Sequence, residues 1–317
     1  MKKLFVILCM LGVLFGEGEK SLMEQGREAF EKGNFQKAAT LWEKSCRQDN
    51  NRGCVALGVL YENGKGVQQD ISQALKFYQK ACNAGDGSGC GRIGLMYEQG
   101  KGVKQNVEKA RELYKIACDR RDSLSCNSLG NIYMRENSEV QNKQMVIDLY
   151  QKACDFSNGF LCNNLAMIYR DGKIVKQNVP KAIELYSKAC HRGYIGACIN
   201  LGEEYRRGEG IKQDKEKAKN YFSIACIGNE FLGCTKLAFM YHIGDGVKQD
   251  LSKAFKLYQK ACRGENGLGC TSLGIMYKNG EGVKKNIQMA KDFFIKACNL
   301  QDELGCQNYA LLNEAGY

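Results

Sequence analysis

The apolar residues fall in two alternating stripes, each at helical spacing, and the pair of stripes recurs every 36 residues. In residues 70–105, DISQALKFYQKACNAGDGSGCGRIGLMYEQGKGVKQ, the first stripe is Ala74, Tyr78, Ala81 and Cys82, and the second carries Ile93, Gly94 and Tyr97. This spacing predicts one helix that ends near Cys82 and another that starts near Cys90. The tyrosine of the second helix recurs as Tyr61, Tyr133, Tyr169, Tyr205, Tyr241 and Tyr277. An Ala and Tyr stripe at this period reads as core packing and not as a cofactor site.

Polar residues punctuate the stripes. Each of eight units opens with Asn or Asp, at Asn34, Asp70, Asn106, Asn142, Asn178, Asp214, Asp250 and Asn286. These side chains accept hydrogen bonds from the free amides of a helix's first turn, so all eight are predicted N-caps. Pro180, two residues past its cap, falls in the one turn that tolerates proline. The second helix ends in a loop such as NGKGV or NGEGV, where glycine permits a left-handed C-cap. A Gly-x-Gly that follows a helix, not a strand, is a turn and not a phosphate loop. The third unit has MRENSEV at 134–140, without glycine, and a reshaped helix end is expected there.

Cysteines stand at 46, 82, 118, 154, 190, 226, 262 and 298, and again at 54, 90, 126, 162, 198, 234, 270 and 306. Two residues eight apart on one helix would lie about 12 Å apart along its axis, whereas a disulfide needs Cα atoms within roughly 7 Å. The chain must therefore reverse between them, and NAGDGSG supplies turn residues. Pairing across the glycine loop instead, Cys54 with Cys82, would orphan Cys46 and Cys306. The predicted bridges are Cys46–Cys54, Cys82–Cys90, Cys118–Cys126, Cys154–Cys162, Cys190–Cys198, Cys226–Cys234, Cys262–Cys270 and Cys298–Cys306. Zinc is not expected: the pairs belong to separate hairpins, and only His191 and His242 could assist.

MKKLFVILCMLGVLFGEGEK at the start has the parts of a secretory signal, with an apolar run too short to span a bilayer. Residues 1–18 are read as a signal peptide, which places the product in the periplasm or outside the cell, an oxidising setting. The net charge of +11 is spread along the chain in ones and twos, the pattern of solvated helix faces, so neither nucleic-acid binding nor membrane insertion is expected. With one proline and no linker-like stretch, one continuous, monomeric body without metal or cofactor is expected.

LGVLYENGKGV with the following D-x-x-x-A, and LGIMYKNGEGV in the seventh unit, resemble the Sel1-like repeat, a relative of the tetratricopeptide repeat. The cysteine pair in every unit, with the signal, resembles the Helicobacter cysteine-rich protein family. The resemblance covers residues 34–317 and implies an all-α, right-handed α/α superhelical solenoid of eight stapled hairpins. Residues 19–33 look like a capping helix at its open end, and Tyr309 and Asn313 depart from the pattern as a terminal repeat does.

Resemblance to tetratricopeptide repeats implies a concave groove lined by the Leu-Gly-x-x-Tyr helix. Its exposed positions would be two before the Leu, one after the Gly, and one and two after the Tyr. In the third to sixth units these are Asn127, Asn131, Met134 and Arg135; Asn163, Met167, Arg170 and Asp171; Ile199, Glu203, Arg206 and Arg207; and Thr235, Phe239, His242 and Ile243. Asn can hold a peptide backbone and Arg a carboxylate, so Asn127, Asn131, Arg135, Asn163, Arg170, Glu203, Arg206, Arg207 and His242 are the candidate ligand-binding residues, toward a peptide or protein with an acidic or C-terminal carboxylate preference. The cysteine-rich family also implies binding or hydrolysis of β-lactams or related peptidoglycan molecules. No serine has a lysine three positions on, and Ser-Asp-Asn and Lys-Thr-Gly are absent, so no catalytic residue is assigned. The expected function is a binding scaffold, toward host or cell-envelope proteins as the family resemblance implies, with β-lactam chemistry as the alternative.

Overall fold

The structure, a computed structural model, describes residues 20–136, 140–156, 158–173 and 175–316. The expected signal peptide, residues 1–18, lies outside the described residues. The helices are α1 (Leu22–Glu31), α2 (Phe35–Arg47), α3 (Asn51–Asn63), α4 (Ile71–Asn83), α5 (Gly87–Gln99), α6 (Val107–Asp119), α7 (Ser123–Glu136), α8 (Val140–Asp155), α9 (Gly159–Asp171), α10 (Val179–His191), α11 (Ile195–Arg207), α12 (Lys215–Ile227), α13 (Phe231–Ile243), α14 (Leu251–Arg263), α15 (Gly267–Asn279), α16 (Ile287–Asn299) and α17 (Glu303–Glu314). No strand occurs among the described residues. The chain divides after Glu136 into two compact units, α1–α7 and α8–α17. Each is a stack of α-hairpins in which every helix packs on the next.

Seven of the eight predicted caps form. Asn34, Asp70, Asn106, Asn178, Asp214, Asp250 and Asn286 each accept the amide three residues on, at 2.8–3.2 Å. Asn142 is the exception, because it lies inside α8. Without a glycine to take the left-handed C-cap, α7 runs one residue past the position where α5 stops, to Glu136. α8 then starts three residues ahead of the period, at Val140.

An aromatic ring in each first helix fills the core: Trp42, Tyr78, Tyr114, Tyr150, Tyr186, Phe222, Tyr258 and Phe294 are all buried. The preceding second helix meets the ring with a residue of minimal size. A Cβ on Gly58, Gly94, Gly202 or Gly274 would stand 2.4–2.9 Å from ring carbons of Tyr78, Tyr114, Phe222 and Phe294. Such an approach lets the two helices close over the ring without a void.

All eight cysteine pairs are bridged at a separation of eight, with Cα atoms 4.4–5.0 Å apart. The reversal needs only one left-handed residue, three after the first cysteine. Gly85 and Gly193 fill it with φ of 93° and 84°, but Asp49, Arg121, Asn229, Glu265 and Gln301 adopt it too, at 58–67°. At the start of the first unit, α1 packs on α2, and the indole nitrogen of Trp42 donates to Met23 O at 3.4 Å.

Candidate functional site

The second helices also touch one another: α3 packs on α5 and α5 on α7 in the first unit, and α13 on α15 and α15 on α17 in the second. Side chains that point away from the first helices therefore form one face along each unit. Three clefts open along the second helices and the residues that flank them, and carry most of the predicted positions.

In the first unit, Asn131, Met134 and Arg135 of α7 join Glu98 and Ser128 around a cavity of about 410 Å³. Arg135 Nη2 lies 2.6 Å from Glu98 Oε1, and Glu98 Oε2 accepts from Tyr114 Oη at 2.7 Å. Burial and this bond to Glu98 push the Tyr114 hydroxyl well above its ordinary range. Asn127 is half-buried and does not line this cavity.

In the second unit, Arg170, Asp171 and Arg207 line a cleft of about 560 Å³ with Lys173, Gln177, Glu204 and Glu209. Arg170 Nε is 3.2 Å from Asp171 Oδ1 and 3.8 Å from Glu204 Oε1. Burial pushes the Glu204 carboxyl up despite Arg170 and Arg207. Beside this cleft, burial lifts the Tyr186 hydroxyl to about 12, with the neighbouring Arg170 opposing the rise.

The third cleft, about 310 Å³, is lined by Glu203, Arg206, Thr235, Lys236, Phe239, Tyr258, Leu268 and Ser272. Glu203 is its electrostatic centre, with Lys236 at 2.7 Å, Arg206 at 3.0 Å and Arg207 at 3.7 Å. Burial opposes its ionisation, but Lys236 and Arg206 outweigh burial and hold the carboxyl below its ordinary range. Phe239 and Leu268 remain 42% and 39% exposed, apolar walls beside this charge. His242 stands aside from these walls: its Nε2 is 2.7 Å from Glu281 Oε2, and its ring meets Tyr258 edge-on.

One predicted position is misplaced. Residues two before the Leu were expected on the exposed face, yet Asn163, Ile199 and Thr235 are buried at 4%, 7% and 3%. Each directly follows a bridged cysteine, and two of them bond to the next hairpin. Asn163 Oδ1 accepts from Asn200 Nδ2 at 2.9 Å, and Thr235 Oγ1 donates to the cap residue Asn266 at 2.8 Å. These side chains join successive hairpins. The arginines are also less free than their sequence positions imply, since Arg135, Arg170, Arg206 and Arg207 all meet carboxylates of the chain itself. Lys236 and Ser272, with Ser128, were missed: they sit one before the Leu, three residues ahead of a predicted position, on the same helical face.

This geometry defines a class, a repeat scaffold of disulfide-stapled α-hairpins whose second helices present a shared polar face with shallow clefts. The chain belongs to the Sel1 repeat family, whose model matches residues 8–50, 52–86, 88–122, 123–155, 161–194, 195–229, 232–266 and 267–302. Beta-lactamase HcpA of Helicobacter pylori is 39% identical over 70 residues, 22% of this chain and 28% of that relative. The match thus spans little more than a quarter of HcpA. Among solved structures, a protective antigen of uropathogenic Escherichia coli with an SLR fold matches at a TM-score of 0.69 and 26% identity, over 92% of this chain and 63% of that one. A Sel1 repeat protein from Oxalobacter formigenes shares the fold at a TM-score of 0.64 and 23% identity, over 93% of this chain and 91% of that one.

Proposed function

We propose that the protein is an exported, monomeric scaffold that binds extended segments of other proteins in a groove along the face of its second helices. The third cleft carries this reading: exposed Phe239 and Leu268 stand beside Lys236, Arg206 and Glu203, and exposed apolar groups rimmed by charge mark interaction sites. Because each groove arginine already has a carboxylate partner, an incoming acid exchanges partners and does not neutralise a bare cation. An apolar anchor side chain is therefore the first requirement of the ligand, and acidic neighbours are the second. Eight disulfides support an oxidising compartment outside the cytoplasm. No helix among the described residues is long and apolar enough to cross a membrane.

A β-lactam reading rests on the names of curated relatives such as HcpA and HcpE. The cleft serines Ser128 and Ser272 have Asn131 and Ile275, not lysine, three positions on, and Ser272 Oγ donates to Leu268 O at 2.8 Å. The test is a selection of linear peptides from a display library on the oxidised protein, followed by titration of the enriched peptide. Phe239→Asp and Lys236→Glu are each expected to weaken binding at least about tenfold, the scale of losing one buried contact. Equal binding by wild type and both variants would overturn the assignment.

A further inference from the structure

We propose that two of the eight staples, Cys82–Cys90 and Cys154–Cys162, are sites of thiol–disulfide exchange, set apart by an arginine held against one sulfur. Arg120 Nη1 donates to Cys82 O at 2.7 Å and lies 3.1 Å from Cys90 Sγ. Arg192 Nη1 repeats the arrangement on Cys154 O, with Cys162 Sγ at 3.3 Å. One arginine serves each unit, and each arises from the hairpin after the staple it touches.

The other staples lack this contact among the described interactions. Lys80 and Lys260 reach back in a similar way, but only to the carbonyl oxygens of Cys46 and Cys226, at 2.9 and 2.8 Å. Cys54, Cys234 and Cys270 have a carbonyl oxygen 3.6–3.7 Å from the sulfur, which opposes negative charge there. A cation beside a sulfur stabilises its thiolate, which makes that sulfur the better leaving group and favours the reduced pair.

The exchange balances with a dithiol as the co-reactant. A thiolate of the dithiol attacks Cys82 Sγ, the S–S bond breaks, and its electron pair leaves on Cys90 Sγ, beside Arg120. The second thiol of the reductant then displaces Cys82, so the dithiol is oxidised to a disulfide and the staple gains two electrons. Cys82 is the more exposed residue of its pair, at 8% against 0% for Cys90, while the half-buried Cys298–Cys306 staple has more access but no such arginine among the described residues. Cys162 also has a carbonyl oxygen at 3.4 Å, which offsets part of the effect of Arg192. Cys82–Cys90 is therefore the first staple to open and Cys154–Cys162 the second. Opening releases the starts of α5 and α9, the helices that carry Glu98 and Arg170 to their clefts.

The test equilibrates the full folded protein in dithiothreitol redox buffers, alkylates free thiols and maps them by mass spectrometry. Cys82 and Cys90 are expected to be labelled in the least reducing buffer, followed by Cys154 and Cys162. Arg120→Gln should shift only its own staple by about tenfold in equilibrium constant, about 30 mV toward more reducing potentials, and Arg192→Gln should shift only the other. Lys260→Met, which removes a carbonyl contact without a sulfur contact, should leave the order unchanged and serves as the control for loosened packing. A different staple opening first, all eight opening together, or arginine variants that leave the order and midpoints unchanged would overturn the proposal.

Discussion

Tyr78 Oη donates to Glu62 Oε2 at 2.6 Å, joining a first helix to the second helix before it. Lys101 closes the same group from the next loop, 2.7 Å from Glu62 Oε1. Glu98 repeats the arrangement one period on, with Tyr114 and Arg135. The buried tyrosine thus serves as core filler and as a polar rivet between hairpins. Tyr78→Phe keeps the ring and deletes the donor, so it should destabilise the protein by about 1–2 kcal/mol, read from urea unfolding of the oxidised form. Tyr186→Phe, where among the described residues no carboxylate accepts from the hydroxyl, should cost less in the same assay.

Two carboxylates should give opposite pH signatures. Burial pushes the Glu62 carboxyl up, but bonds from Lys101 and Tyr78 outweigh it and hold the group below its ordinary value of 4.5. Its contribution is present above 4.5 and lost as pH falls through the lower folded value. Glu204 is displaced upward by burial, so its contribution is present below 4.5 and lost as pH rises through the folded value. Glu62→Gln should therefore lower the unfolding temperature at neutral pH and Glu204→Gln should raise it. Both differences should shrink in acid, as scanning calorimetry at several pH values would reveal.

Backbone geometry predicts a further pair. Gly66 has φ of 70°, and a Cβ there would stand 2.2 Å from the carbonyl carbon of Phe35. Gly66→Ala should cost more than the roughly 1–2 kcal/mol of a left-handed backbone alone. Glu265 holds φ of 62° with a full side chain, so Glu265→Gly should stabilise by about 0.5–1 kcal/mol in the same denaturant assay.

Removing one staple tests how far neighbouring hairpins support each other. In a chain-entropy view, each closed loop contributes about 2.5 kcal/mol. Replacing Cys118 and Cys126 together by alanine should lower stability by about that amount while circular dichroism still reports a fully helical protein.

The features written inside one 36-residue period were legible in the sequence. Caps such as Asp70, the stripe through Ala74 and Tyr78, and the bridge from Cys82 to Cys90 each depend on neighbours a few residues away. What joins one repeat to the next was less visible. Arg135 meets Glu98 from 37 residues away and Arg206 meets Asp245 from 39, separations that no helical wheel displays. Asn163 was placed on the open face because its helix position alone does not reveal the hairpin that covers it. The loss of glycine after Met134 signalled a changed helix end, but not that α8 would absorb Asn142.

Candidate face residues can be tested without disturbing the stack, provided Asn163 is left intact. Arg206→Ala and Arg207→Ala combined should weaken peptide binding while shifting the unfolding temperature little, because exposed ion pairs contribute less than about 1 kcal/mol each. Isothermal titration beside calorimetry separates the two effects.

The most direct measurement of the central claim is amide hydrogen exchange on the oxidised protein with and without a saturating peptide taken from the library selection. Binding on the second-helix face predicts new protection in α11, α13 and α15, centred on Glu203, Phe239 and Leu268, with α10, α12 and α14 unchanged. Protection confined to the first helices, or none at saturation, would contradict it.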